Sequence, residues 1–434
     1  MNGPIGGVAG YRRRVLDDEL DVLIDDLAAI AIDGAKGVGK TTTAAERAST
    51  AYHLDAPGTL TIARAEPSRL VTGTPPILID EWQRLPGSWD LVRRAVDAGA
   101  APGTFLLTGS ATPRDTGTHS GAGRIVRMRM RPLALSERGL ESPTVSLREL
   151  LTGTRPALGG TTEVALRDYA KEICESGLPG IRGLPPRARR AQLDGYLARI
   201  IDRDFPDAGR TVRNPAALRR WMEAYAAATS TTCSYDRIRD AATPGEVDKP
   251  AKTTTAAYRD VLERLWVIDD VPAWAPSRNP LARLVGGSTH HLADPALVVR
   301  LLGMDVDALL DPQGDGTTRG DDLRDGPMLG RLFESLTALS LRVYAQHSEA
   351  TVSHLRTRAG EHEVDFVVER PDHRIVAVEA KLAHEVGDRD VRHLVWLREK
   401  IGDGLLDAIV ISTGSEAYRR PDGIGVVPAA LIGP

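Results

Sequence analysis

The chain has 434 residues, of which 42% are hydrophobic and 26% are charged. These proportions are typical of a globular protein that buries several cores. They exclude a chain disordered throughout, a collagen-like repeat and a disulfide framework. At about 100 to 200 residues per domain, the length predicts two to four domains. A formal net charge of −4 excludes a polycation of the histone type. It does not exclude a local basic groove that binds nucleic acid.

Three features of the composition concern location and reactivity. The two cysteines, Cys174 and Cys233, are too far apart for a Cys-x-x-Cys redox or zinc site, so the sequence favours a reduced, cytoplasmic protein. The first twenty residues lack the apolar run of a signal peptide, and no run of eighteen apolar residues predicts a membrane span. Only seven of the 55 basic residues are lysines, and two of these, Lys40 and Lys381, lie in the motifs described below.

A glycine-rich loop follows the first apolar segment. Residues 27–32 (LAAIAI) predict a buried strand, and the next residues match G-x-x-x-x-G-K-[ST], a loop whose main-chain amides surround nucleotide phosphates. Lys40 is expected to reach the β- and γ-phosphates, and the Thr41 hydroxyl to bind Mg²⁺. The residues after the loop (TTTAAERAS) predict a helix that points its positive end at the same anion. The predicted phosphate-binding residues are Gly34, Ala35, Lys36, Gly37, Val38, Gly39, Lys40, Thr41 and Thr42.

Two further apolar segments end in polar residues suited to phosphoryl transfer. Residues 77–79 (ILI) precede Asp80 and Glu81, the Walker B pattern. In this pattern Asp80 belongs to the Mg²⁺ shell and Glu81 polarises the attacking water. An acidic helix start after a buried strand is the alternative interpretation of this pair. Residues 105–107 (FLL) predict another strand, after which Ser110 is placed to sense the γ-phosphate or the attacking water.

The segments GAKGVGKTT, ILIDEWQRLP, FLLTGSA and GRIVRMRMRPLALSE together resemble a large prokaryotic group of AAA-type ATPases. The group has a P-loop ATPase core followed by a C-terminal region of unknown function, so the resemblance implies that this chain binds and hydrolyses ATP with Mg²⁺. Residues 35–37 (AKG) replace the group's usual Pro-Arg-Gln, but the phosphate-contacting Gly and Lys positions are kept.

The same resemblance concerns one arginine after these segments. It makes Arg124, in a strand predicted over 124–130, a candidate catalytic arginine for the γ-phosphate, in cis or from a neighbouring subunit of a homo-oligomer. A solvated residue at the start of the strand is the alternative.

The middle of the chain predicts helices in a winged-helix pattern. Apolar residues from Leu193 to Ile201 repeat at helical spacing, and three more helices precede strand-like residues 266–274 (WVIDDVPAW). These three helices are predicted over 217–229, 234–242 and 253–265. A winged helix commonly puts its third helix in the DNA major groove. However, Asp269 and Asp270 would lie in the wing, where phosphate repels them, so a structural or protein-docking role is the alternative.

The last hundred residues predict a helix, three strands and a second helix. They place Asp365 in one strand, and Glu379 and Lys381 in the next, two residues apart and so on the same side of the sheet. Glu334, on the first helix, is placed to complete the group. Before this part, residues 311–326 are rich in Gly and Asp without periodicity and predict a linker.

This C-terminal arrangement is similar to the PD-(D/E)XK nuclease superfamily. The similarity implies that Asp365 and Glu379 hold Mg²⁺ near a scissile phosphate. It also makes Lys381 the catalytic lysine, which orients the water or stabilises developing charge, and Glu334 an auxiliary metal ligand. The alternative is a buried ion cluster or a regulatory lid over the ATPase. In its favour, residues 327–434 hold 13 basic against 16 acidic residues, a poor balance for gripping a polyanion without a metal or partner.

The sequence as a whole predicts an α/β protein whose nucleotide cycle, run on ATP and Mg²⁺, controls metal-dependent action on DNA or RNA. The alternative is a signalling ATPase whose C-terminal domain is inactive and binds a protein partner. The predicted parts are a P-loop AAA-type ATPase domain over 1–155, a helical and winged-helix-like segment over 156–310, a linker over 311–326 and a nuclease-like α/β domain over 327–434.

Overall fold

The computed structural model describes most of the chain. The described residues are 10–111, 122–210, 212–243, 249–275, 286–310, 328–357 and 360–434. The linker predicted over residues 311–326 lies outside them.

A five-stranded parallel sheet forms the core of the N-terminal part. Its strands are β1 (Ala29–Asp33), β2 (Thr50–His53), β3 (Ile77–Asp80), β4 (Phe105–Gly109) and β5 (Val126–Arg129). They lie in the order β2-β3-β4-β1-β5, so that β4 separates β1 from β3. Strands β1, β3 and β4 are buried along their whole length, as their continuous apolar runs predict, whereas the two edge strands are partly exposed.

Five α-helices surround this sheet or follow it. They are α1 (Val15–Ile24), α2 (Lys40–Ala45), α3 (Pro57–Ala65), α4 (Gly87–Asp97) and α5 (Leu147–Leu150). Helix α2 begins at the predicted place but ends four residues before the predicted end. The amides of Ser49 and Thr50 bond instead to the carbonyl of Pro76 and start β2, which the sequence analysis does not predict.

The middle of the chain is helical. Its helices are α6 (Leu166–Glu175), α7 (Pro186–Arg199), α8 (Phe205–Asp207), α9 (Pro215–Ala227), α10 (Tyr235–Ala241), α11 (Lys252–Arg264), α12 (Pro295–Leu301) and α13 (Val306–Leu310). A π-helical turn, Ile200–Asp204, joins α7 to α8. The three helices predicted after residue 215 are confirmed as α9, α10 and α11.

The ribbon expected after α11 differs from the prediction. Among the described residues of the expected ribbon, only isolated bridges form: Ile268 pairs with Leu292, Val271 with Thr289 and Ala273 with His354. Asp269 is 6% exposed and points into the protein. Asp269, expected on a protruding wing, is therefore internal, because arginines from two other parts of the chain contact it there, while the side chain of Asp270 is 17% exposed.

The C-terminal part is a mixed six-stranded sheet between two helices. Helix α14 (Met328–His347) packs on one face, and α15 (Asp388–Ile401) packs on the other. The remaining strands of the chain are β6 (Val145–Ser146), β7 (Thr351–Arg356), β8 (Glu363–Glu369), β9 (Ile375–Lys381), β10 (Leu405–Ser412), β11 (Tyr418–Arg419), β12 (Gly425–Pro428) and β13 (Ile432–Gly433). The sheet order is β11-β12-β10-β9-β8-β7. The predicted order of helix, three strands and helix is confirmed.

The end of the chain returns to the N-terminal part. Strand β13 pairs in parallel with β6, and the amide of Thr144 donates to the carbonyl of Leu431. Thr161 forms a bridge with Glu416 further along. The domain boundary expected at residue 155 thus falls inside a segment that packs on the C-terminal sheet. Among the described residues, no helix combines the length and apolar character needed to cross a bilayer.

Candidate nucleotide and metal sites

The glycine-rich loop lies between the carboxyl end of β1 and the start of α2. Gly39 caps the helix with φ +106°, a left-handed conformation that favours glycine. At Gly34, a Cβ atom would lie 2.1 Å from the carbonyl oxygen of Met130, so a larger residue would push the loop away from β5. Both glycines are therefore required by the backbone geometry of the loop.

Lys40 lies buried inside this loop. Its Nζ donates to the carbonyl oxygens of Gly34 and Ala35, each at 2.8 Å. Burial lowers the pKa of Lys40 to about 8, although the carboxylates of Glu81, Asp33 and Asp80 act in the opposite direction. The loop thus holds an ammonium group that main-chain carbonyls only partly stabilise, and an anionic ligand would stabilise it further.

The predicted magnesium residues lie side by side. The Thr41 hydroxyl donates to Oδ1 of Asp80 at 2.7 Å, and the Thr108 hydroxyl donates to the same oxygen at 2.5 Å. Nδ1 of His53 lies 3.0 Å from the other oxygen of Asp80. Together with Asp55, His53 and Asp80 form a group of donor atoms within 4.8 Å of one another. The two carboxylates of this group supply oxygen ligands that suit Mg²⁺, and His53 adds one imidazole nitrogen.

His53 and Thr108 were not among the predicted site residues. They reach Asp80 because β2, β3 and β4 are neighbours in a parallel sheet and all three end at the same edge. The order of strands in the sheet decides this proximity, and no local sequence pattern gives that order.

Glu81 has an unusual backbone conformation. Its φ of +55° is left-handed, which is rare for a residue with a side chain and is common at functional sites. The carboxylate accepts a hydrogen bond from Nε2 of Gln83 at 2.7 Å and one from the Ser110 hydroxyl at 3.2 Å. Ser110 therefore contacts the predicted catalytic carboxylate. Gln83 holds the same group, although the analysis of the motif assigned it no role.

Arg124 lies away from this site. Its Nε donates to Asp97 at 2.8 Å, and 47% of its side chain is exposed. Asp97 ends α4 before β4 begins, and Arg124 precedes the start of β5, so the pair lies at the amino edge of the parallel sheet. The glycine-rich loop is at the carboxyl edge. The expectation that Arg124 acts in cis is corrected by this placement, because the length of the strands separates it from the loop.

A cleft of about 580 Å³ adjoins the start of α2. It lies beside Gly39 and is large enough for the nucleoside part of a nucleotide. The polar and charged residues that line it are Tyr11, Arg12, Arg14, Thr42, Thr43, Arg138, Glu175 and Arg182. Tyr11 is fixed there by donating to Asp17 at 2.5 Å. Apart from Thr42, the sequence analysis did not identify these residues, since they come from segments far apart in the chain.

Lys36, in the glycine-rich loop, points to the helical middle segment. Its Nζ lies 2.5 Å from Oδ1 of Asp204 in the π-helical turn. The Tyr196 hydroxyl donates to the carbonyl of Lys36 at 3.2 Å. Lys36 therefore anchors the loop to the middle segment in this conformation.

The C-terminal candidates form one cluster at the edge of the mixed sheet. Nζ of Lys381 lies 2.7 Å from Oε2 of Glu379 and 3.6 Å from Oδ2 of Asp365. The amide of Ala380 donates to Asp365 at 2.8 Å. Glu334 on α14 interacts electrostatically with the same three side chains. The structure thus brings together all four residues that the sequence predicts.

The carboxylates of this cluster lie close together, and burial and this proximity raise the pKa values of two of them. Burial and the neighbouring Asp365 raise the pKa of Glu334 and of Glu379 well above the ordinary value. Burial by itself lowers the pKa of Lys381, but Asp365 and Glu379 outweigh it and raise that pKa. One oxygen of Glu379, Oε1, is buried and has no hydrogen-bond partner among the residues that the structure describes. An unpartnered carboxylate oxygen among other carboxylates is suited to a divalent cation.

Three family models match successive parts of the chain. Residues 27–138 match a family described as an AAA domain. Residues 166–308 and 329–432 match families described as domains of unknown function, DUF8612 and DUF4143 respectively. The AAA match and the geometry of the loop support an ATP-binding P-loop domain of AAA type. The other two matches assign no activity to the helical segment or to the C-terminal sheet.

Similar proteins add little about activity. Uncharacterized proteins of Mycobacterium bovis and Mycobacterium tuberculosis are each 26% identical over 231 residues, which is 53% of this chain. The alignment spans 45% of their length, so the chain matches about half of these relatives. Among solved structures, a Walker-type ATPase of Pyrococcus abyssi is 16% identical, with a TM-score of 0.38, over 66% of this chain and 94% of its own.

Proposed function

We propose that the protein is a Mg²⁺-dependent ATPase whose nucleotide cycle controls a metal-dependent phosphodiesterase site in its C-terminal part. The proposal rests on one observation: the chain holds two clusters in which a carboxylate suited to Mg²⁺ lies near a lysine. One joins Thr41 and Asp80 beside a buried Lys40, and the other joins Asp365 and Glu379 beside Lys381.

In the ATPase site, each residue has a role that follows from its position. The loop amides and the ammonium of Lys40 bind the phosphates, and binding replaces the two carbonyls that Lys40 now contacts. Thr41 and Asp80 would hold Mg²⁺, which neutralises charge on the phosphates when it is bound. Glu81 polarises the attacking water, and Gln83 and Ser110 keep its carboxylate oriented.

In the C-terminal site, the acidic side chains fit a divalent cation. Asp365 and Glu379 would be its main ligands and Glu334 a further one. The buried Oε1 of Glu379, for which the described part of the chain supplies no hydrogen-bond partner, supports this assignment. A bound cation supplies Lewis acidity toward a phosphodiester. Lys381 is placed to stabilise negative charge that develops on the phosphate. The substrate class proposed is DNA or RNA.

Cleavage of nucleic acid tests this assignment directly. Plasmid and single-stranded substrates are incubated with the full chain and Mg²⁺ or Mn²⁺, with and without ATP. We expect cleavage to disappear in Asp365→Ala and Lys381→Ala. Two exposed residues of the same region provide matched controls, Asp372→Ala and Lys400→Ala, and both should cleave normally. In Lys40→Ala, the dependence of cleavage on ATP should disappear.

A second function is favoured by one specific observation. Lys381 contacts both Glu379 and Asp365, so the cluster is partly charge-compensated without a cation. Such a cluster suits an inactive domain that binds a protein partner while the ATPase acts as a switch. Absence of cleavage with both metals, in every nucleotide state, would support the switch and overturn the phosphodiesterase assignment.

A further inference from the structure

Three arginines lie on one face of strand β5, which pairs with β1, and of the two residues after it. Arg127, Arg129 and Arg131 alternate along residues 127–131, and residues two apart in a strand share a face. Nε of Arg127 lies 2.5 Å from Oδ2 of Asp33, which immediately precedes the glycine-rich loop. The amide of Met130 donates to the carbonyl of Asp33 at 2.7 Å. A shift of the loop that moves Asp33 should therefore also move residues 127–131.

The other two arginines meet a carboxylate of the middle segment. Asp269 lies 3.1 Å from Nη1 of Arg129 and 2.8 Å from Nε of Arg131. Nη1 of Arg342, on α14, lies 2.7 Å from the same carboxylate and also donates to the main-chain carbonyls of Asp269 and Asp270. One buried carboxylate thus holds guanidinium groups from the ATPase part and from the C-terminal part.

Helix α14 makes further contacts with residues 131–136 of the ATPase part. The amides of Leu135 and Ser136 donate to the hydroxyls of Ser340 and Tyr344, at 3.1 and 3.0 Å. Nη1 of Arg131 donates to Gln346 at 3.3 Å. Glu334 of the acidic cluster lies on the same helix, eight residues before Arg342, which corresponds to about 12 Å along the helix axis.

We propose that Asp269, Arg131 and Arg342 transmit the nucleotide state of the glycine-rich loop to the acidic cluster by setting the position of α14. This inference rests on the proposed function and names the regulation of the C-terminal site. Asp269 and Arg342 are positioning residues, because they contact neither predicted site themselves.

The physical reason lies in the burial of the ion pairs. Asp269 is buried and pairs with three guanidinium groups whose side chains are largely covered, so loss of this one carboxylate leaves positive charges in the interior without their partner. The members of such a network move together, or the ion pairs between them separate. Packed interfaces change between discrete arrangements rather than deforming continuously. Segment 127–131 and α14 are therefore expected to move together when the loop changes shape.

Hydrogen–deuterium exchange of the full chain tests the proposal. Exchange is measured without nucleotide, with ADP and with a non-hydrolysable ATP analogue, in the presence of Mg²⁺. In the wild-type protein, we expect nucleotide to change exchange in residues 34–45 and also in residues 328–347. In Asp269→Asn, the change at 34–45 should persist while the change at 328–347 is lost. Nucleotide affinity, measured by calorimetry on the same samples, should stay near the wild-type value.

A milder substitution and a control protect the test against misfolding. Arg342→Lys keeps the charge but loses the planar fork, and should weaken the response at 328–347 with the fold intact. Arg300→Lys is the control, because Arg300 pairs with Asp194 in two contacts, at 2.5 and 2.8 Å, within the middle segment. Its response should equal that of the wild type.

The outcomes separate this proposal from the one on which it rests. If nucleotide binds but exchange at 328–347 does not respond in the wild type, the coupling is overturned and the ATPase assignment stands. The coupling is also overturned if Arg342→Lys and a folded Asp269→Asn respond like the wild type. If no nucleotide binds to the wild-type protein, the proposed function fails, and the coupling fails with it.

Discussion

The Thr41 hydroxyl donates to the Asp80 carboxylate at 2.7 Å, across two strands that are not neighbours in the sheet. Thr41 follows β1 and Asp80 ends β3, with β4 between them. The contact brings the two phosphate-chemistry motifs to one place, although 39 positions separate them in the sequence. The following predictions concern this contact and the acidic cluster of the C-terminal part.

Glu81→Gln should separate binding from hydrolysis. The amide keeps the size of the side chain and its contact with Ser110, but it cannot act as a general base. We expect the rate of ATP hydrolysis to fall by about 10²- to 10⁴-fold with little change in ATP affinity. Steady-state phosphate release and calorimetry measure the two quantities. Glu66→Gln, at an exposed glutamate of the same part of the chain, is the control. Wild-type turnover in Glu81→Gln would remove this glutamate from the mechanism.

Arg14→Ala should destabilise the protein and weaken nucleotide binding. The buried Arg14 donates to Glu137 at 2.8 Å and to the carbonyl of Val38, inside the glycine-rich loop, also at 2.8 Å. Its loss leaves the Glu137 carboxylate buried without a guanidinium partner, which costs about 3 to 5 kcal/mol in the free energy of unfolding. Denaturant titration measures this change.

The neighbouring arginine provides the control for that experiment. Arg13 pairs with Asp18 and Asp21 on the surface, where ion pairs contribute about 0 to 1 kcal/mol. Arg13→Ala should therefore unfold at nearly the wild-type denaturant concentration. Equal effects of the two substitutions would contradict the role assigned to Arg14.

ATP affinity should fall as the pH rises above 8. Lys40 has a pKa of about 8 in the protein without nucleotide, so it is mostly charged at pH 7 and mostly neutral at pH 9. The phosphates favour the charged form, and binding above pH 8 therefore requires proton uptake. We expect affinity about tenfold lower at pH 9 than at pH 7. Calorimetry in buffers with different ionisation enthalpies detects the proton directly. A dissociation constant that is flat over this range would contradict the assignment.

The acidic cluster should make stability depend on pH and on divalent cations. The pKa values of Glu334 and Glu379 are raised in the folded state, so the folded protein binds more protons than the unfolded chain above pH 4.5. Their contribution to stability is therefore lost as the pH rises through the raised pKa values. A cation that binds the carboxylates should reverse this loss. We expect Mn²⁺ to raise the melting temperature more at pH 8 than at pH 6.

Glu334→Gln isolates this effect. The substitution removes one of the crowded charges, so in EDTA at pH 8 the variant should melt at a higher temperature than the wild type and respond less to Mn²⁺. Glu361→Gln, an exposed residue of the same region, should behave like the wild type. A melting temperature that is insensitive to Mn²⁺ at both pH values would argue against a cation site.

Local patterns in the sequence predict the parts of the fold that local physics decides. A strand that is buried on both faces needs a continuous apolar run, and such runs precede Gly34 and Asp80. Strand β9 puts Glu379 and Lys381 on one side because side chains alternate along a strand. These features need only neighbouring residues, so the motifs and the strands that carry them are predictable from the sequence.

Features that depend on distant partners were not predictable. Asp269 reads as a residue of an exposed wing, yet it lies buried against arginines from positions 129, 131 and 342. His53 joins Asp80 only because β2 lies beside β3. Arg124 follows a motif of the ATPase core but lies at the opposite edge of the sheet. In each case the order of strands or the packing of separate parts decides the contact.

Calorimetric titration of the purified full chain with MgATP tests the central claim most directly. The account predicts a saturable heat of binding for the wild type and for Lys171→Ala, which replaces a lysine that pairs with Asp168 far from the loop in sequence. It predicts no detectable binding for Lys40→Ala at the same concentrations. A wild-type protein that gives no heat with MgATP, or a Lys40→Ala variant that binds as tightly as the wild type, would contradict it.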